Sequence, residues 1–348
     1  MASLKYHLLR EVADIVFRDS SIWSRYTSRI TSFVLSGKEP SLILRRMVQN
    51  EVITAYPDDG ALEVTYGKHE VDYENLPVLL VNWARRLIIY SEDDWLQYSG
   101  AYDWENEDLE ELCVVETEIS NWPKIFQMFP NLVSLNLAAS QFDDMLRGAP
   151  NKLAGLEEIG ITFPPLDEID DTDVCLADTC MALCKHQSKY PALKVVHLKE
   201  VDLGNEFKYP KPSKVIPMPS VKHLKMAAVH DYTSFNLKLL TTIQKLFPSL
   251  ETLDMDVEAQ LCEENLGLEN INKFYKAFHS LSVGFDLNVK YREELTSYDI
   301  DISQFRNLIV TKGTVTEKDG LLTVKTCLPG KAFIREVSIK NFYGFHYL

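Results

Sequence analysis

The chain has no apolar run long enough to span a bilayer, and charged residues interrupt the apolar positions of its opening stretch, MASLKYHLLREVADIVFRDSS. A membrane helix needs about 20 consecutive apolar residues, and a secretory leader needs an unbroken apolar block. Neither is expected, no membrane partner is expected, and the expected compartment is cytoplasm and/or nucleus. Net positive charge is missing as well. At −15 the chain carries the wrong sign for a protein that grips phosphates along a backbone, so no nucleic acid partner is expected. Six cysteines in 348 residues make no disulfide framework and read as reduced thiols.

The signatures of common catalytic sites are also absent. No phosphate-cradling glycine loop, no G-x-S-x-G elbow and no H-E-x-x-H pair occurs. Cys175, Cys180, Cys184 and His186 follow the spacing C-x4-C-x3-C-x-H, which matches no common zinc pattern. These cysteines read as packing residues of a helix. The acidic run DEIDDTD (167–173) lacks the glycine and terminal glutamate of a calcium loop and reads as a solvated connection. The expectation is a protein that is not an enzyme and holds no cofactor or metal.

No Lys or Arg lies between Arg86 and Lys124, while carboxylates crowd SEDDWLQYSGAYDWENEDLEEL. Such a run is usually a solvated loop. Trp95, Tyr98, Tyr102 and Trp104 interleave the acids, which also suits a contact surface for a basic partner.

What the chain does contain is a repeated phrase. FPNLVSLNLAAS, LAGLEEIGITF, YPALKVVHLKEVDL, MPSVKHLKMAAV and FPSLETLDMDVE share three apolar anchors: Leu132/Leu135/Leu137, Leu156/Ile159/Ile161, Leu193/Val196/Leu198, Val221/Leu224/Met226 and Leu250/Leu253/Met255. First anchors are 24, 37, 28 and 29 residues apart, and in four copies a proline stands two positions before the first anchor. Weaker copies begin at Ala84, Asp108 and His279. Between copies, SFNLKLLTTIQKLF spaces apolar residues at helical steps, and ENLGLENINKFYKAF and TDVCLADTCMALCKHQ offer similar returns. One such unit cannot bury its own apolar face, so stacking of neighbours must supply the core.

The phrase resembles the leucine-rich repeat, L-x-x-L-x-L, without the Asn or Cys that usually follows and with uneven spacing. The resemblance implies an α/β fold, an irregular leucine-rich-repeat solenoid with a parallel strand row and helical returns. The expected organisation is a helical N-terminal segment or cap over 1–83, repeats over 84–291 and a β-rich capping segment over 292–348. The C-terminal part carries a hairpin signal, VTEKDGLLTV, and a last strand in REVSIKNFYGFHYL.

In such a row the residues between anchors face the open side. Asn136, His197, Lys199, His223, Lys225 and Asp254 are therefore the expected partner-binding residues, with His197, Lys199, His223 and Lys225 forming a basic patch. Lys208, Lys211 and Lys214 add to it from a connection. Clustered cations suit a peptide bearing acidic or phosphorylated residues; a mixed polar surface with no dedicated ligand is the plainer reading.

Helices followed by leucine-rich repeats resemble the substrate-recognition adaptors of cullin–RING ubiquitin ligases. Adaptors of the Elongin-binding Zyg/Zer kind carry a helical box S/T-L-x-x-x-C-x-x-x-Φ. SLKYHLLREV supplies Ser3, Leu4 and Val12, with Leu8 at the Cys position. F-box adaptors open with Leu-Pro, which is absent here. The resemblance implies docking of Elongin B/C, or of Skp1, with a cullin through Leu4, Leu8 and Val12, and capture of an unknown target protein on the open face. The alternative is a stand-alone leucine-rich-repeat scaffold or inhibitor in which those three residues only cap the repeats.

Overall fold

The computed structural model describes residues 2–18, 32–33, 35–50, 54–58, 61–66, 69–73, 83–89, 106–115, 119–150, 152–164, 176–202, 216–231, 238–261, 268–297, 302–318 and 321–341. They form a mixed α/β structure in two compact units, Met1–Leu156 and Glu157–Leu348.

The first unit contains α1 (Ala2–Arg18), α2 (Lys38–Asn50), β1 (Thr54–Asp58), β2 (Ala61–Tyr66), β3 (His69–Tyr73), β4 (Arg86–Ile89), β5 (Glu111–Val114), α3 (Trp122–Met128), β6 (Ser134–Ala138) and α4 (Phe142–Gly148). Its strands run in the order β3-β2-β1-β4-β5-β6. β1, β2 and β3 pair antiparallel, whereas β1–β4, β4–β5 and β5–β6 are parallel. The segment before residue 84, expected to be helical, thus also contributes a three-stranded meander. Its sequence places Asp59-Gly60 and Gly67-Lys68 between three short runs, which is hairpin chemistry.

The second unit contains β7 (Glu158–Thr162), α5 (Leu176–Lys185), β8 (Val195–Asp202), β9 (His223–Asp231), α6 (Lys238–Leu246), β10 (Thr252–Leu261), α7 (Leu268–Ser280), β11 (Asp286–Ser297), α8 (Ile302–Val310), β12 (Thr314–Lys318), β13 (Leu321–Leu328) and β14 (Lys331–Asn341). The strand order is β7-β8-β9-β10-β11-β14-β13-β12. Pairing is parallel from β7 to β11 and on to β14, then antiparallel through β13 to β12. Parallel pairing therefore continues beyond Tyr291, where the repeated phrase fades.

Register aligns the apolar anchors in columns. Ile159, Val196, Leu224, Leu253 and Leu287 are successive lateral partners, as are Ile161, Leu198, Met226, Met255, Val289 and Phe333. All are buried, and a buried side chain of this kind contributes ~1.5–3 kcal/mol. The returns bury their own stripes: Cys180, Leu183 and Cys184 on α5, Leu239, Leu240, Ile243 and Leu246 on α6, Ile271, Tyr275 and Phe278 on α7.

The turns before β5, β6, β8, β9 and β10 have a common construction. The carbonyl of Arg85 accepts the N–H groups of both Glu110 and Glu111, and that of Glu110 accepts those of Val133 and Ser134. In the second unit Glu157 does the same for Lys194 and Val195, Lys194 for Lys222 and His223, and Lys222 for Glu251 and Thr252. At the same position three pairs of neighbouring turns carry opposite charges, Arg85–Glu110 at 3.6 Å, Lys194–Glu157 at 3.1 Å and Lys222–Glu251 at 3.1 Å. Proline biases the residue before it away from helix, and each such residue, Phe129, Tyr190, Met218 and Phe247, is buried.

One departure from an apolar core lies between β11 and β14. Arg335 and Glu293, only 6% and 5% exposed, pair at 3.1 Å from Nε to Oε2. The guanidinium lies 5.5 Å from the Tyr275 ring, 5.6 Å from Tyr291 and 5.7 Å from Phe333. Burial pushes the Glu293 carboxyl up from its ordinary value while Arg335 pulls it down. Burial also opposes the Arg335 charge, but Glu293, Tyr275 and Tyr291 outweigh it and hold the group protonated. Removing one member of a buried pair strands the other. Arg335→Met and Glu293→Gln are each expected to cost about 3–5 kcal/mol by urea unfolding, and the double variant less than the sum of the two. Additive losses would show that the two side chains act independently.

Candidate functional site

Strand alternation that sends the anchors into the core sends their neighbours to the opposite face. There, in the second unit, β8, β9, β10, β11, β14 and β13 line a trough of about 510 Å³. Four of the residues expected at an open face meet in it: His197 and Lys199 from β8, Lys225 from β9 and Asp254 from β10. His223 is on β9, with its Nδ1 2.8 Å from Thr252 Oγ1 on the neighbouring strand, and is not among the lining residues. Asn136 belongs to β6 in the first unit, beside Cys113 in register. Lys208, Lys211, Lys214 and the acidic runs at 91–105 and 167–173 fall outside the described residues.

Sequence reasoning missed the far half of the trough. Asn288 and Lys290 on β11, Ala332 and Ile334 on β14 and Lys325 on β13 complete it. These strands follow the last clear copy of the phrase, and β14 takes its place beside β11 only through the order of the sheet.

Part of the charge in and beside the trough is internally matched. Asn288 Nδ2 donates to Asp254 Oδ1 at 2.8 Å, Arg292 forks between Asp256 and Glu258, and Lys290 meets Glu336 at 3.1 Å. The side chains of Lys199, Lys225 and Lys325 have no ion pair or hydrogen bond among the described residues. Asp254, whose hydrogen-bond partner is a neutral amide, lies beside Lys225 in register. The charge without an ion pair is thus three lysines against one carboxylate, net positive within a chain whose net charge is −15.

His197 sits between these extremes. Its side chain is 20% exposed and its Nε2 lies 3.3 Å from Glu158 Oε1, without the alignment of a hydrogen bond. Burial lowers its pKa, Glu158 opposes the shift, and Lys225 and Lys199 reinforce it. The net direction is downward, so the imidazole is neutral near pH 7.

The first unit carries a different feature. Helix α1 packs against α2 and buries Ala13, yet leaves Leu8 55%, Val12 45% and Ile15 61% exposed. Spaced by four and three residues, they form one apolar stripe on the helix. Two of the three expected docking residues, Leu8 and Val12, are in it; α1 includes Leu4, whose side chain falls outside the described set. A second pocket, beside α2, is lined by Arg85, Arg86, Glu110 and Glu111, whose charges pair as Arg85–Glu110 and Arg86–Glu111.

On α5 Cys180 and Cys184 are buried, and burial pushes the Cys184 thiol up to about 12. Among the described residues no group of three or more His, Cys, Asp or Glu could hold a metal ion, and no helix is long and apolar enough to cross a membrane.

Comparison with family models, with curated proteins and with solved structures gives no match.

A histidine with a lowered pKa resists the proton that the unfolded chain accepts. It adds no cost above the ordinary value of 6.5 and removes stability as pH falls below it. Relative to His197→Gln, the wild type is expected to lose urea resistance between about pH 7 and pH 5. A relative gain over that interval would mean that Glu158 outweighs burial and the two lysines.

Proposed function

We propose that the chain is a non-enzymatic adaptor with two binding surfaces, one on each unit: the α1 stripe engages a ubiquitin-ligase component and the trough engages a target. The stripe carries the reading. Burying apolar side chains is what stabilises most helix–groove contacts, and a helix that buries Ala13 while exposing Leu8, Val12 and Ile15 keeps an apolar face for a partner. Leu8 and Val12 are also two of the three positions by which the N-terminal segment resembles an Elongin-binding box; Elongin B/C, with a cullin, is the preferred partner and Skp1 the alternative.

The repeating turn carbonyls and the in-register apolar columns support an irregular leucine-rich-repeat solenoid as the scaffold. Its trough crosses six strands, five steps of about 4.8 Å, which accommodates roughly seven extended residues at ~3.3 Å each. Lysines without an ion pair among the described residues at both ends, on β8–β9 and on β13, favour an extended segment with anionic ends. A stand-alone scaffold is the second reading, favoured by the trough lying wholly within the second unit.

The test is co-purification of the full chain with Elongin B/C and, separately, with Skp1. Leu8→Asp/Val12→Asp is expected to weaken Elongin capture about 100-fold, from the loss of two buried apolar groups, while thermal unfolding stays near wild type because both sites are exposed. Failure of the wild type to bind either protein removes the ligase role and leaves the scaffold.

A further inference from the structure

Of the three trough lysines without an ion pair among the described residues, two lie at one end. Lys225 is the direct lateral partner of His197, Lys199 lies two residues further along the same strand, and all three line the trough. Neither lysine has an ion pair among the described residues. Just after Lys199 the ladder slips between Leu198 and Val201, and Glu200 adopts φ 56°, a conformation that residues with a β-carbon rarely take. Bulges of this kind re-aim the side chains beside them.

We infer that the β8–β9 end of the trough is a phosphoryl subsite that receives the phosphorylated serine or threonine of an extended partner segment, with Lys199 and Lys225 as its cations and His197 as a third donor. The inference rests on the reading of the trough as the target-binding face. Charge arithmetic favours phosphate over carboxylate. Asp254, the lateral partner of Lys225, adds one negative charge beside the pair. A phosphomonoester, at about −1.5 to −2 at pH 7, gains more from the remaining positive field of two lysines than a carboxylate with a single charge does. Lysine serves phosphate as a point charge without the fork that arginine offers, which suits two lysines on neighbouring strands. Among the described residues Glu158, 3.3 Å from His197 Nε2, is the acid that acts on the imidazole, and its contact is not a formed hydrogen bond. A bound dianion would favour the charged imidazole and raise the His197 pKa.

The full chain, labelled on histidine, is titrated in an NMR experiment with N-acetyl-O-phosphoserine amide, N-acetylglutamate amide and inorganic phosphate. His197 is assigned by its loss in His197→Gln, and His279 on α7 serves as the internal reference. Phosphoserine amide is expected to shift the His197 resonances, to raise its pKa and to bind about tenfold more tightly than the glutamate compound. Lys199→Ala/Lys225→Ala is expected to abolish the shift, and Lys199→Arg/Lys225→Arg to retain it. Equal binding of the glutamate compound, tighter binding of free phosphate, persistence of the shift in the double alanine variant, or no shift at all would each overturn the inference. Elongin or Skp1 capture reads α1 alone, so a negative result here beside a positive one there removes the phosphoryl subsite and leaves the adaptor reading intact.

Discussion

A single backbone carbonyl per turn, shared by two N–H groups of the next strand, is the constraint that sets five steps of the parallel pairing. Parallel strands lack the short hairpin that fixes an antiparallel register, so something else must set their stagger. Here Arg85, Glu110, Glu157, Lys194 and Lys222 do it with the main chain itself. Opposite charges on Arg85 and Glu110, Glu157 and Lys194, and Lys222 and Glu251 reinforce the stagger, but exposed pairs of this kind contribute at most about 1 kcal/mol each. A slip of one residue would turn every buried anchor toward solvent, so the carbonyl and the apolar columns specify the same register.

That agreement lets the strands hold the core with one face and vary the other. Leu224 and Met226 are fixed by packing, whereas Lys225 between them meets only the trough. On β11 and β14 this division is relaxed, because Glu293 and Arg335 turn charge into the core face beside Tyr275, Tyr291 and Phe333. Lys331, at the start of β14, donates to the Phe278 and Leu281 carbonyls at 2.9 and 2.6 Å and so places a positive charge where the α7 dipole is negative. The end of the second unit thus adds charged contacts to its apolar core.

The sequence made the middle of the sheet legible because its anchors recur and each is apolar. From Leu132 to Met255 the phrase marks residues that are all buried. It also pointed to four trough residues, since strand alternation needs no knowledge of the fold. The rest was hidden for physical reasons. β1 to β3 lie in a stretch whose strand signal is short and carries none of the anchors. β14 pairs with β11 across two intervening strands, a long-range choice that no local pattern encodes. Arg335 and Glu293 read as surface residues because charges are rarely buried, and only their mutual contact and the surrounding rings make that burial tolerable.

β12 is the last strand in the order of the second unit, five residues long, with Thr314, Thr316, Glu317 and Lys318 exposed. It runs antiparallel to its neighbour, unlike the ladder it closes. A sheet made of repeats has no inherent stopping point, and an open parallel edge would offer another molecule a template for continued growth. A short outer strand bearing opposite charges at its end is a poor template. At this edge the ladder is blunted against pairing with a further strand.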